Sequence, residues 1–176
     1  MVLLGGGEMA VIDWRRKMRH LMTDHRAATR LLPASSLENI RRAIAAGEGQ
    51  HDGEVRFCIE ASLPWSYLRR NASARERAVM LFSKLRVWDT ERNTGVLLYI
   101  LVADRAVELV ADRGIAARVE TGEWAAICRG LSRAIGAGEA EEGVTRALGR
   151  INDLLARHFP ARIDNPNELP DSPVVL

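Results

Sequence analysis

Cysteine is scarce in this 176-residue chain, long apolar runs are missing, and neither sign of charge prevails. The two cysteines, Cys58 and Cys128, sit among apolar neighbours (Phe57 and Ile59; Ala126 and Ile127). They read as buried reduced thiols, which excludes a disulfide-held scaffold and a redox pair. The longest apolar stretch, Val96 to Ala103, is less than half of a bilayer-spanning helix. Met1-Val2-Leu3-Leu4 runs at once into three glycines and Glu8, which is not the pattern of a secretory leader. Lys and Arg number 25 against 23 Asp and Glu, a formal charge of +2, and aromatic residues make up only 5%. That balance lacks the basic footprint and the stacking residues of a dedicated nucleic-acid binder. The chain reads as a soluble, cytoplasmic protein.

Several catalytic signatures are missing as well. There is no Gly-rich phosphate loop ending in Gly-Lys-Ser/Thr and no His-Glu-x-x-His zinc helix. Gly130-Leu131-Ser132-Arg133-Ala134 lacks the second glycine of a nucleophile elbow. A phosphate-binding cysteine loop needs an arginine six positions beyond its thiol, where Cys58 has Pro64 and Cys128 has Ala134. His20, His25, His51 and His158 are scattered, and none is placed as a general base or within a ligand set.

What remains is a globular composition, 47% hydrophobic and 27% charged, long enough for one compact domain with an appendage. Residues 1–33 read as a leader and a basic amphipathic helix. Val11, Trp14, Met18, Leu21, Met22, Ala28 and Leu32 recur at helical spacing, opposite Arg15, Arg16, Lys17, Arg19, Arg26 and Arg30. Three readings fit this helix. It packs its Trp14/Met18/Leu21 stripe on the domain, it lies on an anionic membrane surface through residues 11–32, or it contacts acidic protein or nucleic acid. The first is the expectation, and nucleic acid is the least favoured.

Residues 34–160 form the main domain. Ser35 and Glu38 open a second helix with capping-box spacing, and Ser73 and Glu76 repeat it before a helix to about Leu85. Glu54 to Glu60 alternates polar and apolar residues, as a strand with one face exposed or against polar neighbours. Gly95 to Ala103 is apolar at nearly every position and belongs at the centre of a covered sheet. Asp104-Arg105 turns it into an antiparallel partner, Ala106 to Ala111. Helices near 123–135 and 141–158 follow, and four of the six prolines lie from Pro160 onward. Residues 161–176 therefore form an extended tail, with Val174, Val175 and Leu176 as docking points. The fold class is α/β: a three-layer α/β/α sandwich with a small mixed sheet and an extra basic N-terminal helix.

Trp88 to Gly95 is the richest polar segment. Asp89, Glu91 and Asn93 followed by Gly95 resemble the start of a calcium loop, but Ile100 stands where an EF-hand needs its bidentate glutamate. With Asp104 and Asp112 from neighbouring loops, these are the candidate ligands for Ca2+ or another divalent cation. The plainer reading is a hydrogen-bonded turn. Ligands in open α/β sheets usually bind beyond the C-terminal strand edge, which favours Ala61-Ser62-Leu63 and Asp104-Arg105 over Asp89.

Phe82 to Thr90, Asn93-Thr94-Gly95-Val96-Leu97, Ala103-Asp104-Arg105, Val107-Glu108 and Ala111 to Ile115 resemble the TPM-domain, or TPM phosphatase, family. The likeness spans roughly Ser36 to Pro160 and is to the short bacterial branch without signal peptide or membrane anchor. It implies a small α/β/α sandwich, divalent-cation binding through loop carboxylates, and metal-assisted phosphate-ester hydrolysis. The family's usual aspartate before its first helix is absent from Pro33-Ala34-Ser35-Ser36-Leu37. The functional expectation is a TPM-like binding or accessory module with an unknown protein partner, in envelope or membrane-protein maintenance. The alternatives are a weak divalent-metal-dependent acid phosphatase and a peripheral membrane-surface protein.

Overall fold

A computed structural model describes residues 6–162 and 167–176, with side chains from Trp14 onward. Residues 1–5 of the expected leader, the Val11 and Asp13 side chains, and residues 163–166 of the tail lie outside the described residues. In chain order, helices α1 (Gly6–Met22), α2 (Ala27–Leu31) and α3 (Ala34–Glu48) precede strand β1 (Val55–Glu60). Helices α4 (Trp65–Arg69) and α5 (Ala74–Lys84) carry the chain to β2 (Val96–Leu101), and β3 (Ala106–Ala111) returns beside it. Helices α6 (Arg113–Ala116), α7 (Thr121–Gly136) and α8 (Ala140–His158) follow, and β4 (Val174–Val175) ends the chain.

The sheet order is β3-β2-β1-β4, with β1 parallel to β2 and to β4, and β3 antiparallel to β2. Alternation along the strands divides two cores. Val55, Phe57, Ile59, Val96, Leu98, Ile100 and Leu109 meet α3, α7 and α8 on one face. Cys58, Leu97, Tyr99, Leu101 and Val110 meet α4 and α5 on the other. This is the α/β/α sandwich with a mixed sheet. Every residue of β2 is buried, as a doubly covered central strand requires.

Three local expectations are corrected. The N-terminal helix is not continuous to Leu32: it breaks after Met22, where Thr23 caps back onto Arg19 O and Asp24 accepts the Arg26 amide. Its Trp14/Met18/Leu21 stripe does not pack on the domain; Trp14 is 63%, Leu21 64% and Met22 79% exposed, because Arg16 and His20 face inward instead. Ser35 does not cap α3, which starts at Ala34 behind Pro33, and Glu38 bonds Arg41 and Arg42. β1 is buried at every position, so of its two readings the face against polar neighbours holds: Glu60 meets buried Arg77 and Tyr99, while Arg56 Nε and Nη1 are enclosed without a hydrogen-bond partner among the described residues.

Other expectations hold. Ser73 and Glu76 form a capping box at α5, and Asp104-Arg105 closes the β2–β3 reversal with Arg105 at φ 51°. Both cysteines are free thiols; Cys58 is buried, and Cys128 only partly so. The tail docks through Val174 and Val175 as an edge strand, with Leu176 exchanging backbone bonds with Ile59 and Ala61. No helix among the described residues is long and apolar enough to cross a membrane.

Candidate functional site

The five candidate cation ligands lie at opposite ends of the sheet. Asp104 follows β2 at its C-terminal end, the edge favoured for ligands in open α/β sheets. Its carboxylate is already occupied. Arg16 reaches it through Nε (3.1 Å) and Nη2 (2.7 Å), His20 through Nε2 (3.0 Å) and Arg19 more loosely (3.4 Å). Arg16 also bonds Asn71 Oδ1 at 2.9 Å and the Ala72 carbonyl at 2.8 Å, so one guanidinium ties α1 to the α4–α5 junction. The Leu63 amide donates to His20 Nδ1 at 3.1 Å, which assigns the imidazole proton to Nε2, facing Asp104. Burial opposes ionisation of Asp104, but the His20 and Arg16 hydrogen bonds outweigh it and hold the carboxyl well below its ordinary value.

Asp89, Glu91, Asn93 and Asp112 lie at the other end, before β2 and after β3. Asp89 pairs with Arg86 (3.2 Å) and Glu91 with Arg162 (2.8 Å). Asn93, at φ 56°, accepts from Arg113 Nε at 3.1 Å, and Asp112 accepts the Arg113 amide at 2.7 Å to cap α6. The segment is held as a turn by Thr94 N–H on Thr90 Oγ1 (3.0 Å) and Gly114 N–H on the Asn93 carbonyl (3.0 Å). Gly95 is required here, because any Cβ would run into the Val87 carbonyl. Asn93 and Asp112 thus meet through Arg113, Asp89 and Glu91 each turn to an arginine, and Asp104 is a strand length away, roughly 20 Å. Among the described residues no three His, Cys, Asp or Glu side chains are grouped to hold one metal ion.

Sequence reasoning missed a second acidic group at this end. Glu48, Glu54, Asn167 and Asp171 line a cleft of about 260 Å3 with Arg162. Burial, with the Glu54 and Asp171 charges beside it, pushes the Glu48 carboxyl up to about 9. Glu54 accepts the Glu168 amide (2.9 Å) and the Leu169 amide (3.3 Å), which seats the tail. Asp52 lies alongside, paired to Arg92 (2.9 Å) and Arg162 (3.0 Å). The available signal was the polar row Glu54, Arg56 and Glu60 in and just before β1, which reads equally as an exposed face or as one against polar neighbours.

A family model for the TPM domain matches residues 26–154. The chain belongs to the TPM-domain family. The match begins inside the segment read from sequence as an appendage and takes in α2 with the sandwich. No curated protein matches the chain. Among solved structures, this TPM domain is similar to the NMR structure of BA42 from the psychrophilic bacterium Bizionia argentinensis. The TM-score is 0.72 at 25% identity, covering 81% of this chain and 94% of BA42.

Proposed function

We propose that this TPM domain is a non-catalytic binding module that rests on an anionic membrane surface through α1. The observation that carries the reading is the inverted docking of that helix. Arg16 and His20 point inward to Asp104, which turns Trp14, Leu21 and Met22 to solvent at positions i, i+7 and i+8. An apolar ridge costs exposure unless something covers it, and this ridge is flanked by Arg15 and Lys17, with Arg26 and Arg30 following. Aromatic and aliphatic side chains beside basic ones suit the interface of an anionic bilayer. A phosphatase reading draws no support from the carboxylates. Asp89, Glu91, Asp104 and Asp112 are each bonded to an arginine side chain or a backbone amide.

Sedimentation with phosphatidylcholine vesicles, with and without phosphatidylserine, tests this. Binding should need the anionic lipid and fall about tenfold or more in the Trp14→Ser/Leu21→Ser protein, whose altered side chains are exposed and leave unfolding unchanged. Equal binding to both vesicles, or no loss in the double variant, would refute it.

A further inference from the structure

β3 is the outer strand, and the phase of its backbone is fixed by its neighbours. Val96 donates to the Glu54 carbonyl (2.8 Å), so the backbone groups of Leu97, Tyr99 and Leu101 turn the other way, towards β3. They face Val110, Glu108 and Ala106, and the Asp112 amide on the Gly95 carbonyl (2.8 Å) continues the same phase. Val107, Leu109 and Ala111 therefore direct their N–H and C=O groups out of the sheet. The Arg75 guanidinium, bonded to the Leu109 carbonyl, lies on that outer side.

Beside this edge runs a cleft of about 550 Å3 between β3 and α7. Its apolar wall includes Val107, Leu109, Val119, Trp124 and Cys128, and its polar rim includes Arg75, Glu108 and Arg129. The Trp124 indole N–H is enclosed without an acceptor among the described residues.

We propose that the β3 edge and the adjoining cleft bind an extended peptide in which apolar and acidic residues alternate, added to the sheet as a further strand. Outward donors and acceptors recurring every second residue match another extended backbone and little else. The side chains of such a strand would alternate between the apolar cleft on the α7 side and the Arg75 side. Charge selects the occupant. Pairing β3 with β3 of a second copy would bring one Arg75 against another, at the position where Arg75 otherwise guards the edge from self-pairing. A glutamate on an added strand meets the same guanidinium with the opposite charge and draws it from the Leu109 carbonyl and from Glu108, whose carboxylate lies 3.7 Å away in a loose ion pair.

The test is an amide NMR titration of the full chain with an acetylated octapeptide of alternating valine and glutamate, and with its valine–lysine counterpart. The valine–glutamate peptide should shift the Val107, Leu109 and Ala111 amides saturably at millimolar concentration, and the lysine peptide should not. Arg75→Glu, on the helix surface, should weaken the first about fivefold and admit the second. Val107→Pro removes one outward N–H without touching the bonds to β2, and should abolish the response. Unchanged thermal midpoints in both variants separate loss of binding from loss of fold. Absence of shifts, shifts confined to other surfaces, or an equal response to both peptides would overturn the proposal. So would edge shifts that grow with protein concentration alone, which would assign the edge to a second copy.

Discussion

Glu60 sits on β1 with both oxygens used: Arg77 donates from Nε (2.8 Å) and Nη2 (2.5 Å), and Tyr99 Oη from the next strand at 2.6 Å. All three are buried. An ion pair of this kind contributes little over an apolar pair of equal volume, but removing one member strands the other charge away from water. Arg77→Met should therefore lower the unfolding free energy by about 3 kcal/mol in urea titrations. Tyr99→Phe removes a single hydrogen bond to a charged group and should cost about 2 kcal/mol. Equal effects would mean that water reaches Glu60 once Arg77 is gone. At this scale the sequence showed that β1 alternates, yet alternation reports polarity and not solvent. The partner that makes Glu60 tolerable comes from a different element, and nothing local announces it. Asp104 shows the same limit, since it was legible as a polar group at the ligand-binding edge of the sheet. Its capture by Arg16 and His20 depends on where α1 lands.

Elements were read more securely than their ends. Two Ser-x-x-Glu patterns look alike in sequence, but only Ser73 is followed by a helix whose first turn leaves its amides open. Pro33 is already the N-cap of α3, two residues before Ser35, so that hydroxyl falls inside the first turn, and Arg41 and Arg42 hold Glu38. Ser73→Ala should destabilise the protein by about 1 kcal/mol, whereas Ser35→Ala should change it by only a few tenths, measured by chemical denaturation. Comparable losses at both sites would show that Ser35 does cap. The tail poses a related problem. Its prolines excluded a central strand, and it is an edge strand, placed by Leu176 donating to the Ile59 carbonyl and accepting from Ala61 (2.9 Å each). Deleting residues 174–176 should uncover the outer edge of β1, speed amide exchange at Ala61 and promote self-association. Unaltered exchange at Ala61 would show the tail to be dispensable for that edge.

Across the whole molecule, the two ends of the sheet respond to pH in opposite directions. Asp104 titrates in the folded protein below its ordinary 3.8, so the unfolded chain binds its proton first as the pH falls. Stability from this end is complete above the carboxylate range and is lost on acidification. Glu48 is the reverse case. Its ordinary value is 4.5 and burial among like charges raises it to about 9, so between those values the folded state keeps a proton that the unfolded chain has released. Stability from that end declines steadily as the pH rises through the same window, and Glu54, shifted upward chiefly by burial, adds to the decline. Both slopes act on one cooperative sandwich, because β1 and β2 run from the acidic cluster to the Asp104 junction. Thermal midpoints measured from pH 3 to pH 9 should accordingly peak on the acid side of neutrality, at about pH 5. Glu48→Gln should flatten the alkaline limb and leave the acid limb intact, and Asp104→Asn should flatten the acid limb at some cost in overall stability. A midpoint that rises steadily from pH 5 to pH 9 would mean that Glu48 stays ionised in the folded protein.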